Sequence, residues 1–567
     1  MIYNWEFKNT ASPEKVSTIQ KIMNVNPIIA QLLINFNLDT KEKIEKYLHP
    51  TLSHLHDPKK MLNMELAIER LIEALREGEN ILIYGDYDVD GITGVSLLYE
   101  ALFKLGGKVS FYIPNRLTEG YGLTKAGIKK LLTNKPNLII AVDCGMTAIE
   151  AVDFANSNGI DIIICDHHKT NNCLPDAYAV LNPKQADCSY PFKELAGVGV
   201  AFKLIQGLYQ VLNYSKEELE RYMDLVAIGT AADIVPLIDE NRVFVKFGLE
   251  QINKCPRSSI FALQESSSLL GREIDVSTII FSLAPRLNAV GRMSNAKAAV
   301  HLLTCTSLQQ ARHLAQVLES ENKVRRNFDD ATYQEALNII ENSVDLSKEK
   351  IIILTKKNWH PGVIGIIASR IMEKYNRPTI LISVRNGMGK GSARSTSNFD
   401  IYNALNSVCY LLDNFGGHKF AAGFTIKEKV IEKFKNEVKG ITEKLIHSED
   451  LTPTLEVQSE ISLSQLDAKL LKWLKLFAPY GTENMPPVFV SRGLEIVGNI
   501  QMIHDNHLKL KVRQDGINID AIFYNFGKFS KKLDTSNQKI DSAYVIEENT
   551  WNSQTTIQMQ IKDLNII

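Results

Sequence analysis

Three carboxylates alternate with single residues in the segment Gly-Asp-Tyr-Asp-Val-Asp-Gly (85–91): Asp86, Asp88 and Asp90. Packed into a Gly-flanked loop, they repel one another unless cations, hydrogen bonds or solvent compensate. Asp143 stands in VDCG, Asp166, His167 and His168 form a DHH triplet, and Asp233 ends the apolar stretch AIGTAA. Taken singly, each has an ordinary reading: an Asp at a strand end caps a helix or forms a turn, and a His pair decorates a surface. Taken together they make a metal-ligand set. Oxygen-rich ligation with imidazole and without thiolate favours Mn²⁺ or Mg²⁺ over zinc, and Mn²⁺ is preferred because histidine takes part. Cys144 and Cys165 adjoin these residues and read as small buried hydrophobes. Two divalent ions sharing a carboxylate, about 3.5–4 Å apart, suit in-line attack on phosphorus, so phosphoester hydrolysis is the implied reaction.

Such residues converge only if the elements beneath them bring their ends together. Four apolar runs of strand length, ILIY (81–84), KVSFYI (108–113), NLIIAV (137–142) and DIIIC (161–165), alternate with amphipathic helical segments. That order predicts an α/β domain with a doubly wound parallel sheet, whose ligands bind outside the carboxyl ends of its strands. Three of the four runs end in the candidate ligands. A mostly helical stretch follows. Residues 307–343 then run without Gly or Pro and predict one long connecting helix. A second α/β unit starts at KIIILT (350–355), and short alternating runs from about 455 suit a small β-barrel. The expected domains are an N-terminal helical cap (1–65), a catalytic domain (66–305), the connecting helix (306–345), a substrate-binding domain (346–450) and the barrel (451–567).

The chain has 567 residues, about four domains at roughly 150 each. With 45% hydrophobic and 23% charged residues it reads as globular, and fibrous or disordered classes fall away. Lys+Arg 64 against Asp+Glu 65 gives a formal charge of −1, so a nucleic-acid partner has to be bound by local patches. Seven cysteines without a C-x-x-C pair argue against a disulfide framework and fit a reducing compartment. No leader and no run of eighteen apolar residues is visible, so the expected location is cytoplasmic, without membrane contact.

DYDVDG, VDCG, DHH and GTAADIVPL, in this order and spacing, resemble the four motifs of the DHH phosphoesterase superfamily. Further segments narrow the resemblance to its bacterial branch of single-strand-specific 5'-to-3' DNA exonucleases: IPNRLTEGYGL, APRLNAVGRM, WHPGVIGIIASRI, GKGSARS, GGHKFAAGF and PYGTENMPPVF. The resemblance covers nearly the whole chain. It implies that Asp88 and Asp90 bind different metals and that Asp143 bridges them, with His167 and Asp233 completing the site of the Asp90 metal. His168 would stand behind the ligands near the scissile phosphate, as proton donor or charge stabiliser. With Asp143 and Asp166 it forms the expected catalytic set. Many superfamily members carry His where this chain has Tyr84, which implies a weaker Asp88 site, and Asp86 is a candidate ligand there.

The second α/β unit resembles a DHHA1 domain, which faces the metals and holds substrate. Its small residues in NGMGKGSARS would let backbone amides approach phosphates, with Ser392 and Arg394 on the terminal 5' phosphate. Arg116, Arg286, Asn288 and Arg292 are expected strand contacts. For the arginines a surface salt bridge is the competing reading. His360 and His418 are expected to face the cleft or to serve as structural hydrogen-bonding groups. The barrel resembles an OB domain, in which Lys509, Lys511, Arg513, Lys528 and Lys531 neighbour Phe523, Tyr524, Phe526 and Phe529; cations beside aromatics suit single-strand binding, and barrel core is the competing reading for the rings. The implied whole is a monomeric, clamp-shaped exonuclease releasing 5'-mononucleotides in recombination and repair. A single-strand-binding protein and a helicase are its implied partners. Alternatives are a phosphodiesterase of the same superfamily acting on short oligonucleotides or cyclic dinucleotides, and a non-catalytic DNA-binding scaffold.

Overall fold

The computed structural model describes residues 3–115, 119, 122–169, 173–293, 296–503, 506–527, 533, 538–551 and 554–567. The catalytic-domain sheet has five parallel strands, Asn80–Gly85, Lys108–Tyr112, Leu138–Val142, Asp161–Cys165 and Ala179–Leu181. Their spatial order is second, first, third, fourth, fifth. The order therefore reverses between Asn80–Gly85 and Leu138–Val142, and a crevice opens beyond the carboxyl ends of those two strands. The runs ILIYG and LIIAV are buried residue by residue because helices cover both faces of the sheet. One layer packs Val89–Lys104 and Gly197–Val211 over Ile81, Ile83 and Ile140; the other packs Lys125–Leu131 and Ile149–Asn156 over Leu82, Tyr84 and Ile139.

The connecting helix runs without a break from Leu308 to Ser343, about 54 Å at 1.5 Å per residue. Its buried stripe is apolar at the two ends (Ala311, Ala315 and Leu318; Ala336, Leu337 and Ile340) and polar in the middle, at Asn322, Arg325, Asp329 and Thr332. There Arg325 donates to Asp329 Oδ2 at 2.5 Å and to Asn322 Oδ1 at 2.9 Å.

Beyond it, a five-stranded sheet runs Leu412–His418, Ala421–Lys427, Met388–Arg394, Thr379–Arg385, Ile352–Lys357, and only the last two strands are parallel. GKGSARS lies within or next to the strand Met388–Arg394. Two of its glycines have a packing role that differs from the expected one of admitting phosphates: a Cβ on Gly391 would lie 2.1 Å from the Phe424 ring, and one on Gly389 would lie 2.9 Å from Ile382 and Ile426.

The C-terminal barrel closes through Phe489–Ile503, His507–Gln514, Ile517–Phe523, Gln554–Ile566 and Lys539–Trp551, the last pairing back to the first. The N-terminal segment is not a separate cap. Asn4–Phe7 pairs in parallel with Thr454–Val457, and Asp563 accepts from Trp5 Nε1 and Tyr3 N. The helices Pro13–Met23, Pro27–Asn35 and Lys41–Leu48 share one core with the barrel, where Ile29, Leu33, Ile44 and Leu48 belong to the same cluster as Phe477, Phe489 and Leu508. Pro13 and Pro27 start helices behind Ser12 and Asn26 caps, positions that need no backbone N–H. Three short helices have too little surface for a core of their own, and the barrel supplies it.

Arg242 is a hub where these parts meet. Arg242, buried in the catalytic-domain helix Asp239–Lys254, directs its guanidinium to five carbonyls: Tyr47 from the N-terminal segment, and Leu476, Phe477, Ala478 and Pro479 from the end of the helix Ala468–Phe477. It lies 4.0 Å over the Tyr47 ring. Asn484 of PYGTENMPPVF closes the same knot, donating to Phe477 O and Pro479 O and accepting from Tyr47 Oη.

Candidate metal centre

All the expected ligands meet at the crevice. Asp88 caps the helix Val89–Lys104, accepting from Gly91 N at 3.2 Å, and Asp90 lies in the first turn of that helix. Both Asp90 oxygens accept backbone N–H groups from the start of Gly197–Val211: Gly197 N to Oδ2 at 2.6 Å and Val198 N to Oδ1 at 2.8 Å. A helix N-terminus thus holds this fully buried carboxylate. The approach requires glycine, because a Cβ on Gly197 would stand 2.8 Å from Asp143 Cβ and 3.0 Å from Asp90 Oδ2. Sequence reading missed this pair of amides; the run of small residues in AGVG was its only signal. Asp143 takes a left-handed backbone, φ 57°, as Asp tolerates.

His167 Nε2 lies 3.2 Å from Asp143 Oδ1, 3.5 Å from Asp233 Oδ2 and 3.8 Å from Asp90 Oδ2. Asp90, His167 and Asp233 form one group whose ligand atoms lie within 4.8 Å of one another, and Asp86, Asp88 and Asp143 form a second. The second group is filled by Asp86 where Tyr84 offers nothing. Tyr84 is fully buried, donates to Gly122 O at 3.1 Å and packs against Tyr112. His168 also lies within a ligand-sized group with Asp143 and His167.

Asp143 Oδ1, Asp233 Oδ2 and both ring nitrogens of His167 are buried without a hydrogen-bond partner among the described residues. Such atoms are costly in a folded interior. Burial, and after it mutual repulsion, raises Asp143 and Asp233 well above the usual carboxylate range. Burial and the Asp88 charge push Asp90 up to about 7. Burial, with His168 beside it, pushes His167 down to about 3, which leaves it a neutral imidazole suited to ligation. Two divalent cations fit this donor set: they would pair the orphaned atoms and offset the repulsion.

Asp166 faces His168 and the backbone. Its carboxylate accepts from His168 Nδ1 at 2.7 Å, from the amides of His167 and His168, and from Met146 N. Burial alone would raise it, but His168 outweighs that and brings it to about 2. Burial alone would lower His168, but Asp166 outweighs that and raises it to about 9. Asp166 therefore holds the loop and keeps His168 charged.

The other expected contacts divide. Arg394 donates to Ser392 Oγ at 3.2 Å, and both pack on Gly365, where a Cβ would come within 3.0 Å of either. Burial, and then the charges of His168, Arg394, Lys169 and Lys184, lower His418, whose neighbours His168, Lys169 and Lys184 belong to the catalytic domain. His360 stacks on Phe328 of the connecting helix, accepts from Gly362 N, and is lowered by burial. Arg292 reaches Gly362 O at 3.3 Å, and Asn288 lies one helical turn before it, half-buried. Arg286 departs from the expectation of a strand contact: it is buried, paired with Glu319 at 2.6 Å and bonded to Ser282 O, because its helix packs against the connecting helix. Arg116, Lys528, Phe529 and Lys531 lie outside the described residues. In the barrel, Phe523 is core and stacks on Phe526 at 3.7 Å, and Tyr524 is exposed. Lys511 and Arg513 lie along the strand His507–Gln514 with their side chains half exposed, beside Asp520 and Glu495.

Comparison with known proteins follows the same divisions. The DHH family N-terminal domain matches residues 80–230, the DHHA1 domain 348–444 and the RecJ OB domain 457–563. The single-stranded-DNA-specific exonuclease RecJ of Bacillus subtilis is 35% identical over 99% of this chain and 70% of its own length. That of Escherichia coli is 30% identical over 95% of this chain and 96% of its own. Among solved structures, RecJ from Thermus thermophilus in complex with Mn²⁺ superposes with a TM-score of 0.86 at 28% identity, covering 99% of this chain and 79% of that one. Its complex with Mg²⁺ gives 0.79 at 27%, covering 99% and 78%.

Proposed function

The chain belongs to the RecJ family of single-stranded-DNA-specific exonucleases, a metal-dependent nuclease using Mn²⁺ or Mg²⁺, and from that membership we propose how its own residues divide the work. The observation that carries the reading is the convergence of unpartnered buried ligand atoms from Asp143, Asp233 and His167 at the sheet's switch point. Asp90, His167 and Asp233 would hold one cation and Asp86, Asp88 and Asp143 the other, with Asp143 between them. Bound there, two divalent ions supply positive charge against the attacking and leaving oxygens at phosphorus.

The remaining steps belong to side chains. His168, fixed by its bond to Asp166, which favours its protonated form, carries a proton toward the leaving oxygen or stabilises charge on the phosphate. Ser392 and Arg394 hold the terminal 5' phosphate, and His418 faces the catalytic domain across the cleft. Arg292 and Asn288 line the strand's path, and Lys509, Lys511 and Arg513 guide it from the barrel. A cleft sized for one strand excludes duplex, and hydrolysis from the 5' end releases mononucleotides. The chain acts as a monomer in the cytoplasm, alongside a single-strand-binding protein and a helicase that expose its substrate. Support for the location comes from seven unpaired cysteines and from the lack of a helix, among the described residues, long and apolar enough to cross a membrane.

The test is a time course with Mn²⁺ on a 3'-labelled, 5'-phosphorylated single strand, with blunt duplex and Asp143→Ala as controls. Shortening from the 5' end, confined to the single strand and absent in the variant, is expected. Full activity in Asp143→Ala would overturn the ligand assignment, and cleavage of dinucleotides alone would overturn the substrate.

A further inference from the structure

Ile234 follows the ligand Asp233 and has a left-handed backbone, φ 60°. Asp233 ends the helix Met223–Ala232 and Ile234 N bonds back to Ala231 O, so Ile234 occupies the position after a helix end where glycine is the usual residue. A β-branched side chain in that conformation is strained. Packing does not explain it, because Ile234 is 58% exposed while Val235 and Leu237 of the same loop are buried. The loop is held from behind: Asn241 Nδ2 donates to Pro236 O at 2.9 Å and Leu237 N to Thr482 O at 2.8 Å. A strained, exposed, apolar residue on a pinned loop, next to a metal ligand, is how a site keeps a side chain that the fold itself would discard.

We propose that Ile234 is a specificity-determining contact, an apolar stop for the base of the terminal nucleotide, which seats its phosphate over the cations. The inference rests on the exonuclease reading above. Its chemistry suits a nucleobase of any kind, since every base has an apolar face.

The experiment uses the full chain with Mn²⁺ and two 5'-phosphorylated single strands, one ordinary and one whose terminal nucleotide lacks its base. Wild type is expected to prefer the ordinary strand. Ile234→Gly should unfold at the same or a higher temperature, bind Mn²⁺ as wild type does by spectroscopic titration, cleave the ordinary strand about tenfold more slowly, and lose the preference. Ile234→Asn, which keeps a residue that tolerates the left-handed backbone, should behave alike and guards against loosening of the loop. Equal rates on both strands in wild type, or a preserved preference in the variants, would overturn the proposal. Weakened Mn²⁺ binding or lowered stability in both variants would instead make Ile234 a brace for Asp233, which also overturns it. Cleavage of neither strand by wild type would remove the exonuclease reading and this inference with it.

Discussion

With Asp143 Oδ1 3.2 Å from His167 and its carboxylate also in the Asp86 and Asp88 group, one substitution there touches both ligand sets. Asp143→Asn should weaken binding of both ions and lower turnover by more than about a hundredfold, measured by Mn²⁺ titration and single-turnover cleavage. The same carboxylates make the metal-free protein sensitive to pH. A carboxyl raised in the folded state favours folding at low pH and loses that contribution as pH climbs through its folded value. Asp90, at about 7, and Asp143 and Asp233, both raised well above the usual carboxylate range, should therefore destabilise the chelated protein from about pH 4 upward, and His168 adds to the loss between 6.5 and about 9. His167, pushed down to about 3, works the other way below 6.5 but is outnumbered. Thermal unfolding from pH 5 to 9 should fall steadily with chelator and flatten or reverse with Mn²⁺. Residue types and strand-end positions made Asp88, Asp90, Asp143 and His167 legible as candidates in the sequence, and Asp233 showed as a lone carboxylate after an apolar, helix-like stretch. The direction of Asp166 and the burial of Arg286 were not, because the same residue type serves either role and only neighbours decide.

At the scale of elements, periodicity located the four principal strands of the catalytic sheet and the long helix, since apolar runs and a Gly- and Pro-free stretch are local signals. The fifth strand, Ala179–Leu181, is three residues long and leaves no such signal. Gly389 and Gly391 misled for a related reason: a glycine that admits a phosphate and one that admits a Phe424 ring look alike in sequence. The polar middle of the connecting helix gives a prediction of its own. Arg325 and Asp329 are a buried pair at 2.5 Å, so Asp329→Ala leaves a guanidinium without its counter-charge and should cost about 3 kcal/mol. Arg325→Met together with Asp329→Ala should recover much of that, as seen in urea unfolding.

For the whole molecule, the joint around Arg242 decides how the barrel sits on the catalytic domain. Five carbonyls use all the guanidinium donors, and no carboxylate is among their acceptors. Arg242→Ala should leave these carbonyls without donors and split thermal unfolding into two transitions, with new protease cuts between 478 and 488. Arg242→Lys, with three donors, should restore only part. PYGTENMPPVF was visible as a motif, yet its place in this knot could not be read, because Tyr47 and Arg242, which complete the knot, lie far away in the chain. The union of the N-terminal helices with the barrel escaped sequence reading in the same way. That union governs how the protein is made. Asn4–Phe7 and the helices through Leu48 leave the ribosome first, while the strand Thr454–Val457 and the barrel that cover them come last. At 5–20 residues per second the interval is on the order of a minute. Throughout it, the nascent chain carries the apolar segment Ile28–Leu33 uncovered, a standing demand on whatever chaperone receives it.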